Sequence, residues 1–189
     1  GVRLTNGNNE LLVATREGYA IRFKETDARA MGRNARGVKA ITLEGDDKVV
    51  DFARIRNDGS LVLTVSEDGK GRRTDVSEYR LQTRGGKGIR NYYTEKHGKV
   101  AGVKMVGEED DVFLISDDGI IIRVAAAEIT KQSRYGGGVR VMRLDSGRKV
   151  VTLARAPGEN IERPNEAILG MEEESTDSLW DRDASDEEA

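Results

Sequence analysis

The sequence contains the same unit three times, and this repetition limits the folds that the chain can adopt. Gly18, Gly69 and Gly119 occupy equivalent positions, so the units are displaced by 51 and then by 50 residues, with no gap inside a unit. Tandem units of this length are typical of solenoids and propellers, in which each copy buries its apolar face against the next copy. The fold must therefore be built from one supersecondary module.

Each unit predicts four short β-strands. An apolar run, an acidic-glycine dipeptide and a second run form a hairpin, and the connection after it has room for a short helical turn. We expect third strands at 38–43, 89–94 and 139–144, and fourth strands that begin at Val49, Val100 and Val150. Because glycines interrupt every possible helix, we predict an all-β fold, a partial β-propeller of about three four-stranded blades.

The alignment of the repeats also sets the expected domain boundaries. Arg3 to Thr5 align with Arg54 to Arg56, so we interpret residues 1–9 as the end of a preceding blade and the chain as a piece of a longer polypeptide. The three blades are expected at 10–59, 60–110 and 111–158. Residues 159–189 hold 12 acidic residues and two arginines, a composition that predicts a disordered acidic tail, whereas residues 1–158 carry a net charge of +7.

Several kinds of chemistry are disfavoured. The chain has no cysteine and a single histidine, His97, in a polar stretch (residues 95–99) that we interpret as a hairpin turn. Disulfides, thiolate metal sites and histidine-based catalysis are therefore not expected, and Glu108 to Asp111 is interpreted as a solvated turn. We predict no catalytic site, no metal site and no membrane segment, and a cytoplasmic location.

A glycine-rich loop, Gln82–Gly88 with the sequence Q-T-R-G-G-K-G, holds the cations Arg84 and Lys87. Such a loop can turn sharply and present N–H groups to an anion, although a tight turn whose cations merely face water is the alternative. It recurs in each unit with its first arginine and last glycine retained. We call these segments the first, second and third glycine loops: Arg33 to Gly37, Arg84 to Gly88 and Arg134 to Gly138.

A repeated position in a propeller recurs at the same radius, so the loop arginines should form a spaced row of cations. Such a row matches the phosphates of a bent duplex and predicts DNA binding with little sequence specificity. The competing interpretation is that each arginine pairs with a carboxylate of its own blade, a contact worth about 0–1 kcal/mol at a surface. The row would comprise Arg33, Arg84 and Arg134, joined by Arg36, Lys87 and Arg140.

The motif Gln82, Arg84, Gly85, Gly86, Lys87 and Gly88 resembles the signature box of the C-terminal domains of DNA gyrase A proteins, with Thr83 in place of a second cation. Residues 1 to about 158 share the similarity. The resemblance implies a strand-swapped β-pinwheel whose basic rim wraps double-stranded DNA, so that a type II topoisomerase can introduce negative supercoils. This family's principal box lies in its first blade; Gln82 to Gly88 would be a fifth-blade copy.

By the same resemblance, the partners would be DNA, the rest of the gyrase A protein and, through it, the gyrase B protein, at the nucleoid. ATP and Mg²⁺ would act elsewhere in the parent enzyme, and this chain would bind no cofactor. The alternatives are the C-terminal domain of the decatenating type II topoisomerase and a protein-binding propeller. The DNA-binding residues we predict are Arg33, Arg36, Gln82, Arg84, Gly85, Gly86, Lys87, Gly88, Arg90, Arg134 and Arg140.

Overall fold

The computed structural model describes residues 1–56 and 58–157, so the predicted acidic tail lies outside the described residues. The chain folds mainly into short β-strands. They are β1 (Glu10–Thr15), β2 (Tyr19–Lys24), β3 (Val49–Arg54), β4 (Leu61–Ser66), β5 (Lys70–Thr74), β6 (Ile89–Arg90), β7 (Val100–Val106), β8 (Asp111–Ser116), β9 (Ile121–Ala125), β10 (Val139–Arg140) and β11 (Val150–Ala156). Single 3₁₀ turns at Glu25–Asp27, Val76–Glu78 and Ala126–Glu128 lie in the predicted connections.

The first two strands of each repeat form the predicted antiparallel hairpins, which are β1–β2, β4–β5 and β8–β9. Their turn glycines Gly18, Gly69 and Gly119 have φ values of 84°, 74° and 86°, which L side chains rarely adopt. The predicted fourth strands β3, β7 and β11 each pair with the first strand of their own repeat. The acidic-glycine signal therefore marked real hairpin turns.

Neighbouring repeats exchange one strand. The sheets have the orders β3-β1-β2-β6, β10-β5-β4-β7 and β11-β8-β9. Strand β6 belongs to the second repeat but pairs with β2 of the first, and β10 of the third repeat pairs with β5 of the second. This is the strand swap that the resemblance implied.

The third strands are much shorter than predicted. Ile89–Arg90 and Val139–Arg140 are the only paired residues of two of these segments, and residues 38–43 form no strand. The segments are extended only where the hairpin of the preceding repeat offers an edge, and no such hairpin precedes residues 38–43 in the described chain. After two residues the backbone leaves that edge, because the N–H groups of Asn91 and Tyr92 both donate to the carbonyl of Gly18 at 2.7 and 3.0 Å.

His97 ends a one-turn helix, α1 (Thr94–His97), rather than lying in the predicted hairpin turn. Gly98 follows with a φ of 80°. The polar residues 95–99 therefore do reverse the chain, but they do so through a helical turn that leads into β7. The difference matters for the site, since the helix carries the His97 ring towards the third glycine loop.

The core is a series of contacts between successive sheets. Strand β4 is buried along its whole length because it faces both neighbouring sheets. Val62 packs into a cluster with Leu12 of the first sheet, whereas Leu63 packs into a second cluster with Leu114 of the third. Each fully buried aliphatic side chain contributes about 1.5–3 kcal/mol. Stacked in this way, the repeats present their glycine loops at equivalent places.

Candidate nucleic-acid interface

Each of the last two glycine loops lies against the second strand of the preceding repeat. Gly88 has a φ of 79°, and a Cβ placed there would overlap the carbonyl oxygen of Ala20. Gly138, with a φ of 78°, would place a Cβ 2.7 Å from the carbonyl oxygen of Gly71. The glycine at the end of the loop is therefore required by two local facts, a positive φ and a close approach to a neighbouring backbone.

The first arginine of each of these loops ties the loop to the preceding repeat. Arg84 donates from Nε to the carbonyl of Asp27 at 2.7 Å and from Nη1 to the carbonyl of Lys39 at 3.0 Å. Arg134 donates from Nη1 to the carbonyl of Arg90, the residue equivalent to Lys39, at 2.5 Å. Neither guanidinium pairs with a carboxylate in the described chain, so both keep an uncompensated charge.

The three loop arginines differ in exposure, which the sequence did not indicate. Arg33 is exposed, whereas Arg84 and Arg134 are half-buried. The first loop has no preceding repeat in the described residues against which Arg33 could pack. The half-buried pair therefore has a structural role in addition to its charge.

Lys87 is an exposed cation that already contacts a carboxylate and an aromatic ring. Its ammonium lies 2.7 Å from Glu44 and 5.0 Å from the centre of the Tyr19 ring. The hydrogen bond to Glu44 raises the pKa of Lys87 above its ordinary value, so the side chain stays charged. Because the ion pair is at the surface, a phosphate can compete with Glu44 at little cost.

Arg90 packs on aromatic rings. Its guanidinium lies 4.3 Å from the centre of the Tyr19 ring and 5.9 Å from that of Tyr93. It also donates to the carbonyl of Glu17 and to the Tyr19 hydroxyl, both at 3.0 Å. The side chain is half-buried, so Arg90 is held in one orientation beside the second loop.

Lys39 is a cation that the site prediction missed. Lys39, Arg90 and Arg140 occupy equivalent positions, one residue after the first residue of each third-strand segment. Lys39 and Arg140 are exposed and, like the exposed Arg36, form no ion pair among the described residues. The signal was available in the sequence, since the repeat alignment places a cation at this position in every unit.

Gln82 precedes the second loop and is half-buried. Its equivalent, Gln132, accepts a hydrogen bond at Oε1 from the N–H of Gly138 at 3.0 Å and so closes the third loop. In the second loop the N–H of Gly85 instead donates to the carbonyl of Ala40 at 2.6 Å. Of the predicted site, Gly85, Gly86 and Gly88 thus shape the second loop through backbone contacts and the cations supply the charge, whereas the Gln82 side chain forms no hydrogen bond at Nε2 among the described residues.

Arg72 is a second residue that the site prediction missed. Its side chain is fully buried, and it donates to the carbonyls of Arg134 and Gly136 in the third loop, each at 2.9 Å, to Thr74 Oγ1 at 2.6 Å and to the carbonyl of Asn91. All these acceptors are neutral. Arg72 therefore places an uncompensated positive charge directly beneath the third loop.

These features are suited to contact with an anion. Within residues 1–56 and 58–157, no three His, Cys, Asp or Glu side chains are grouped so that they could hold a metal ion. Over the same residues, no helix has the length and apolar character needed to cross a bilayer. Backbone N–H groups, glycines and unpaired cations repeated along one series of loops are groups that contact phosphates.

A family model described as the DNA gyrase C-terminal domain, beta-propeller, matches residues 9–56, 60–106 and 110–157. The DNA gyrase A protein of Staphylococcus epidermidis is 42% identical over 162 residues, which are 84% of this chain and 18% of that protein. The DNA gyrase A protein of Staphylococcus aureus is 38% identical over 189 residues, 98% of this chain and 21% of that protein. The chain thus spans about a fifth of these relatives.

Two solved structures have the same fold. The C-terminal domain of DNA topoisomerase IV gives a TM-score of 0.78 at 23% identity, over 84% of this chain and 50% of that one. The DNA gyrase A C-terminal domain gives 0.74 at 25% identity, over 80% of this chain and 52% of that one. The predicted fold class, an all-β pinwheel, is confirmed by these matches. So is the resemblance drawn from the glycine loop: the chain belongs to the DNA gyrase C-terminal domain family of β-propellers.

Proposed function

We propose that this chain binds double-stranded DNA along its glycine loops and bends it, as the DNA-wrapping part of a gyrase-type topoisomerase. The observation that carries the proposal is the repeated pair of cations, one at the start of each loop and one just after it. These pairs are Arg33 with Lys39, Arg84 with Arg90, and Arg134 with Arg140. None of these six side chains pairs with a carboxylate closer than the 3.9 Å between Arg90 and Glu95 in the described residues.

The half-buried arginines favour wrapping over loose surface attraction. Arg84 and Arg90 are each held by hydrogen bonds to neighbouring backbone, so little side-chain entropy is lost when a phosphate binds. Equivalent positions in successive repeats then offer phosphate contacts at regular intervals. Base readout requires Asn, Gln or bidentate Arg side chains aimed into a groove, whereas phosphate contacts carry no sequence information, so we expect binding to tolerate most sequences.

The parent protein would supply the chemistry. In this proposal, strand cleavage and the use of ATP and Mg²⁺ belong to parts of the polypeptide and to a second protein outside this chain, in the bacterial cytoplasm. The near-complete box from Gln82 to Gly88 favours a supercoiling enzyme over the decatenating relative. A protein-binding propeller is the competing class, and the salt dependence of DNA binding separates the two classes.

The test is DNA affinity as a function of salt concentration, measured by anisotropy with two short duplexes of unrelated sequence. Arg36→Gln with Arg140→Gln removes two exposed, unpaired cations and should lower the slope of log K against log salt by about 1.8, or about 0.9 per phosphate contact. The matched control is Lys24→Gln with Arg54→Gln. It removes the same charge from the last residues of β2 and β3. Lys24 pairs there with Glu10 of β1, and Arg54 pairs with Leu11 of β1.

The control should leave the slope unchanged. Equal slopes for the two double variants would mean that the loops are not the DNA contact. Wild-type affinity that does not depend on salt would place the chain in the protein-binding class. Bending should appear as increased energy transfer between dyes at the two ends of a longer duplex, and its absence at saturating protein would contradict wrapping.

A further inference from the structure

The five tyrosines of the chain occupy different environments. Tyr79 and Tyr92 belong to the core, at 1% and 0% exposure. Tyr19 and Tyr93 are half-buried, and Tyr135 is 64% exposed in the third glycine loop. Packing of the core accounts for the first two rings but not for the exposed ring of Tyr135.

The three tyrosines outside the core come from three different segments and lie at one junction, between the second and third loops. The Tyr93 and Tyr135 rings are 6.3 Å apart, centre to centre, and inclined by 34°. Arg90 joins Tyr93 to Tyr19, because its guanidinium lies 5.9 Å from the centre of the first ring and 4.3 Å from that of the second. Ring centres up to about 7 Å apart are those of interacting aromatic pairs, so these side chains form one patch.

A cation extends the patch at each end. The Lys87 ammonium lies 5.0 Å from the centre of the Tyr19 ring, and the Arg134 guanidinium lies 5.0 Å from that of the Tyr135 ring. We call the whole set the tyrosine ribbon. In order of contact it consists of Lys87, Tyr19, Arg90, Tyr93, Tyr135 and Arg134. The ribbon therefore leads from the second glycine loop to the third, with cations placed between and beside the rings.

Surface carboxylates pair with two of these cations. Glu44 lies 2.7 Å from Lys87, and Glu95 lies 3.9 Å from Arg90. The two glutamate side chains are 64% and 68% exposed, so the ion pairs are weak and a phosphate can replace either carboxylate. The Arg134 guanidinium binds the carbonyl of Arg90, a neutral acceptor. The ribbon can therefore attract a polyanion.

The rings of the ribbon are departures from the repeat. Each of the three positions is aromatic in one repeat only. The equivalent residues are Asn34 and Gly85 for Tyr135, Thr42 and Arg143 for Tyr93, and Lys70 and Ile120 for Tyr19. The fold of a repeat does not require a ring at these positions, so the meeting of all three rings at one junction points to a shared ligand.

The combination of rings and cations matches the chemistry of unpaired nucleotides. In a duplex the faces of each base are covered by stacked neighbours, so a ring on a surface loop reaches only base edges, sugars and phosphates. An unpaired base has a free face that stacks on an aromatic side chain, while cations beside the ring hold the phosphates. Phosphate binding alone would require the cations of the ribbon but not its rings.

We propose that the tyrosine ribbon is a binding site for single-stranded DNA, distinct from the duplex contacts of the glycine loops. One base stacks on the exposed ring of Tyr135, and the cations of the ribbon hold the phosphates on either side. Because every base has an aromatic face, the site accepts most sequences. The rings serve only the single strand, so single-strand binding and duplex bending can be tested separately.

The experiment measures the affinity of the whole chain for three fluorescent probes by anisotropy at one salt concentration. The probes are a short oligothymidine, an abasic strand of the same length and charge, and a duplex of that length. The wild-type chain should bind the oligothymidine more tightly than the abasic strand, because only the first offers bases that stack. Equal affinity for these two strands would overturn the proposal.

Tyr135→Asn is the informative variant, since asparagine is the residue that the first loop holds at this position. It should lower the affinity for oligothymidine by about 5-fold or more, the effect of one lost stacking contact, and leave the affinity for the abasic strand unchanged. Tyr135→Phe keeps the ring and loses only the hydroxyl, which accepts a hydrogen bond from Arg134 at 3.3 Å. It should bind oligothymidine like wild type.

Leu81→Ala is the matched control, because it removes a 44% exposed apolar side chain from the segment before the second loop. It should bind all three probes like wild type. The proposal is overturned if Leu81→Ala weakens oligothymidine binding as much as Tyr135→Asn does, or if Tyr135→Asn weakens binding of the duplex and the single strand equally. Failure of duplex bending would instead appear in the salt dependence of the duplex alone, with the preference for oligothymidine over the abasic strand retained.

Discussion

The guanidinium of Arg72 donates a hydrogen bond to the carbonyl of Gly136, so a buried cation of the second repeat holds the glycine loop of the third. Burying a charge is costly unless its hydrogen-bonding groups are satisfied. Arg72 meets this requirement with neutral acceptors and with the face of the Tyr92 ring, 5.3 Å away. The potential of its charge is therefore not cancelled by a carboxylate within the site.

Arg72→Ile should lower the free energy of unfolding by about 2–4 kcal/mol, because the carbonyls of Arg134, Gly136 and Asn91 would be left buried without donors. Urea unfolding followed by circular dichroism measures the loss. Arg140→Ile is the control, since this exposed arginine has no ion pair among the described residues and should stay within about 0.5 kcal/mol of wild type. Equal stability of the Arg72 variant and wild type would show that this buried cation is dispensable.

The repeat made much of the fold predictable. Hairpins and fourth strands follow from local signals, because the acidic-glycine turn and the short apolar runs beside it act within a few residues. The strand exchange between repeats is a different matter. It depends on which edge the segment after each loop meets, and only the family resemblance, not the residue pattern, implied it.

The site was only partly predictable for a similar reason. The alignment of the repeats located the loop cations, but it could not show that Arg84 and Arg134 would bind carbonyls of a neighbouring repeat. Arg72 had a visible signal that was not used: the equivalent positions hold Ile21 and Ile122, so an arginine there breaks an apolar pattern. A departure from a repeat is as informative as a retained residue.

Comparison of Gly88 with Gly37 separates two reasons why a loop position requires glycine. Both have a positive φ, so an alanine at either position costs about 1–2 kcal/mol in backbone conformation. Only at Gly88 would the new Cβ also overlap the Ala20 carbonyl, and we expect a total loss of about 3 kcal/mol there. Thermal unfolding measures both variants, and equal losses would contradict the close approach of the second loop to β2.

His97 should make the stability of the domain depend on pH. Burial against the third loop, together with Lys70, Lys96 and Arg72, lowers the pKa of its imidazole below the ordinary value of 6.5. The unfolded chain therefore binds a proton that the folded chain does not, so stability is greatest above pH 6.5 and falls as the pH drops through 6.5 towards the lower folded pKa.

The urea midpoint of wild type, measured above and below pH 6.5, should fall on the acid side. His97→Gln should remove that part of the pH dependence while it keeps a polar side chain next to Tyr92. A wild-type midpoint that rises on acidification would contradict the direction of the shift. A variant with the same pH profile as wild type would assign the dependence to other groups.

Substitutions of Arg84 can separate the effect of its charge on DNA binding from the effect of its hydrogen-bond geometry on stability. Its guanidinium contacts two carbonyls, of Asp27 and Lys39, from two different nitrogens, an arrangement that an ammonium group cannot reproduce. Arg84→Lys should therefore lower the free energy of unfolding by about 1 kcal/mol while it leaves the salt slope of DNA binding unchanged. Arg84→Gln should lower both the stability and the slope, the latter by about 0.9. If the salt slope of DNA binding were also lower for the lysine variant, the contact with phosphate would depend on the fixed orientation of Arg84 and not on its charge alone.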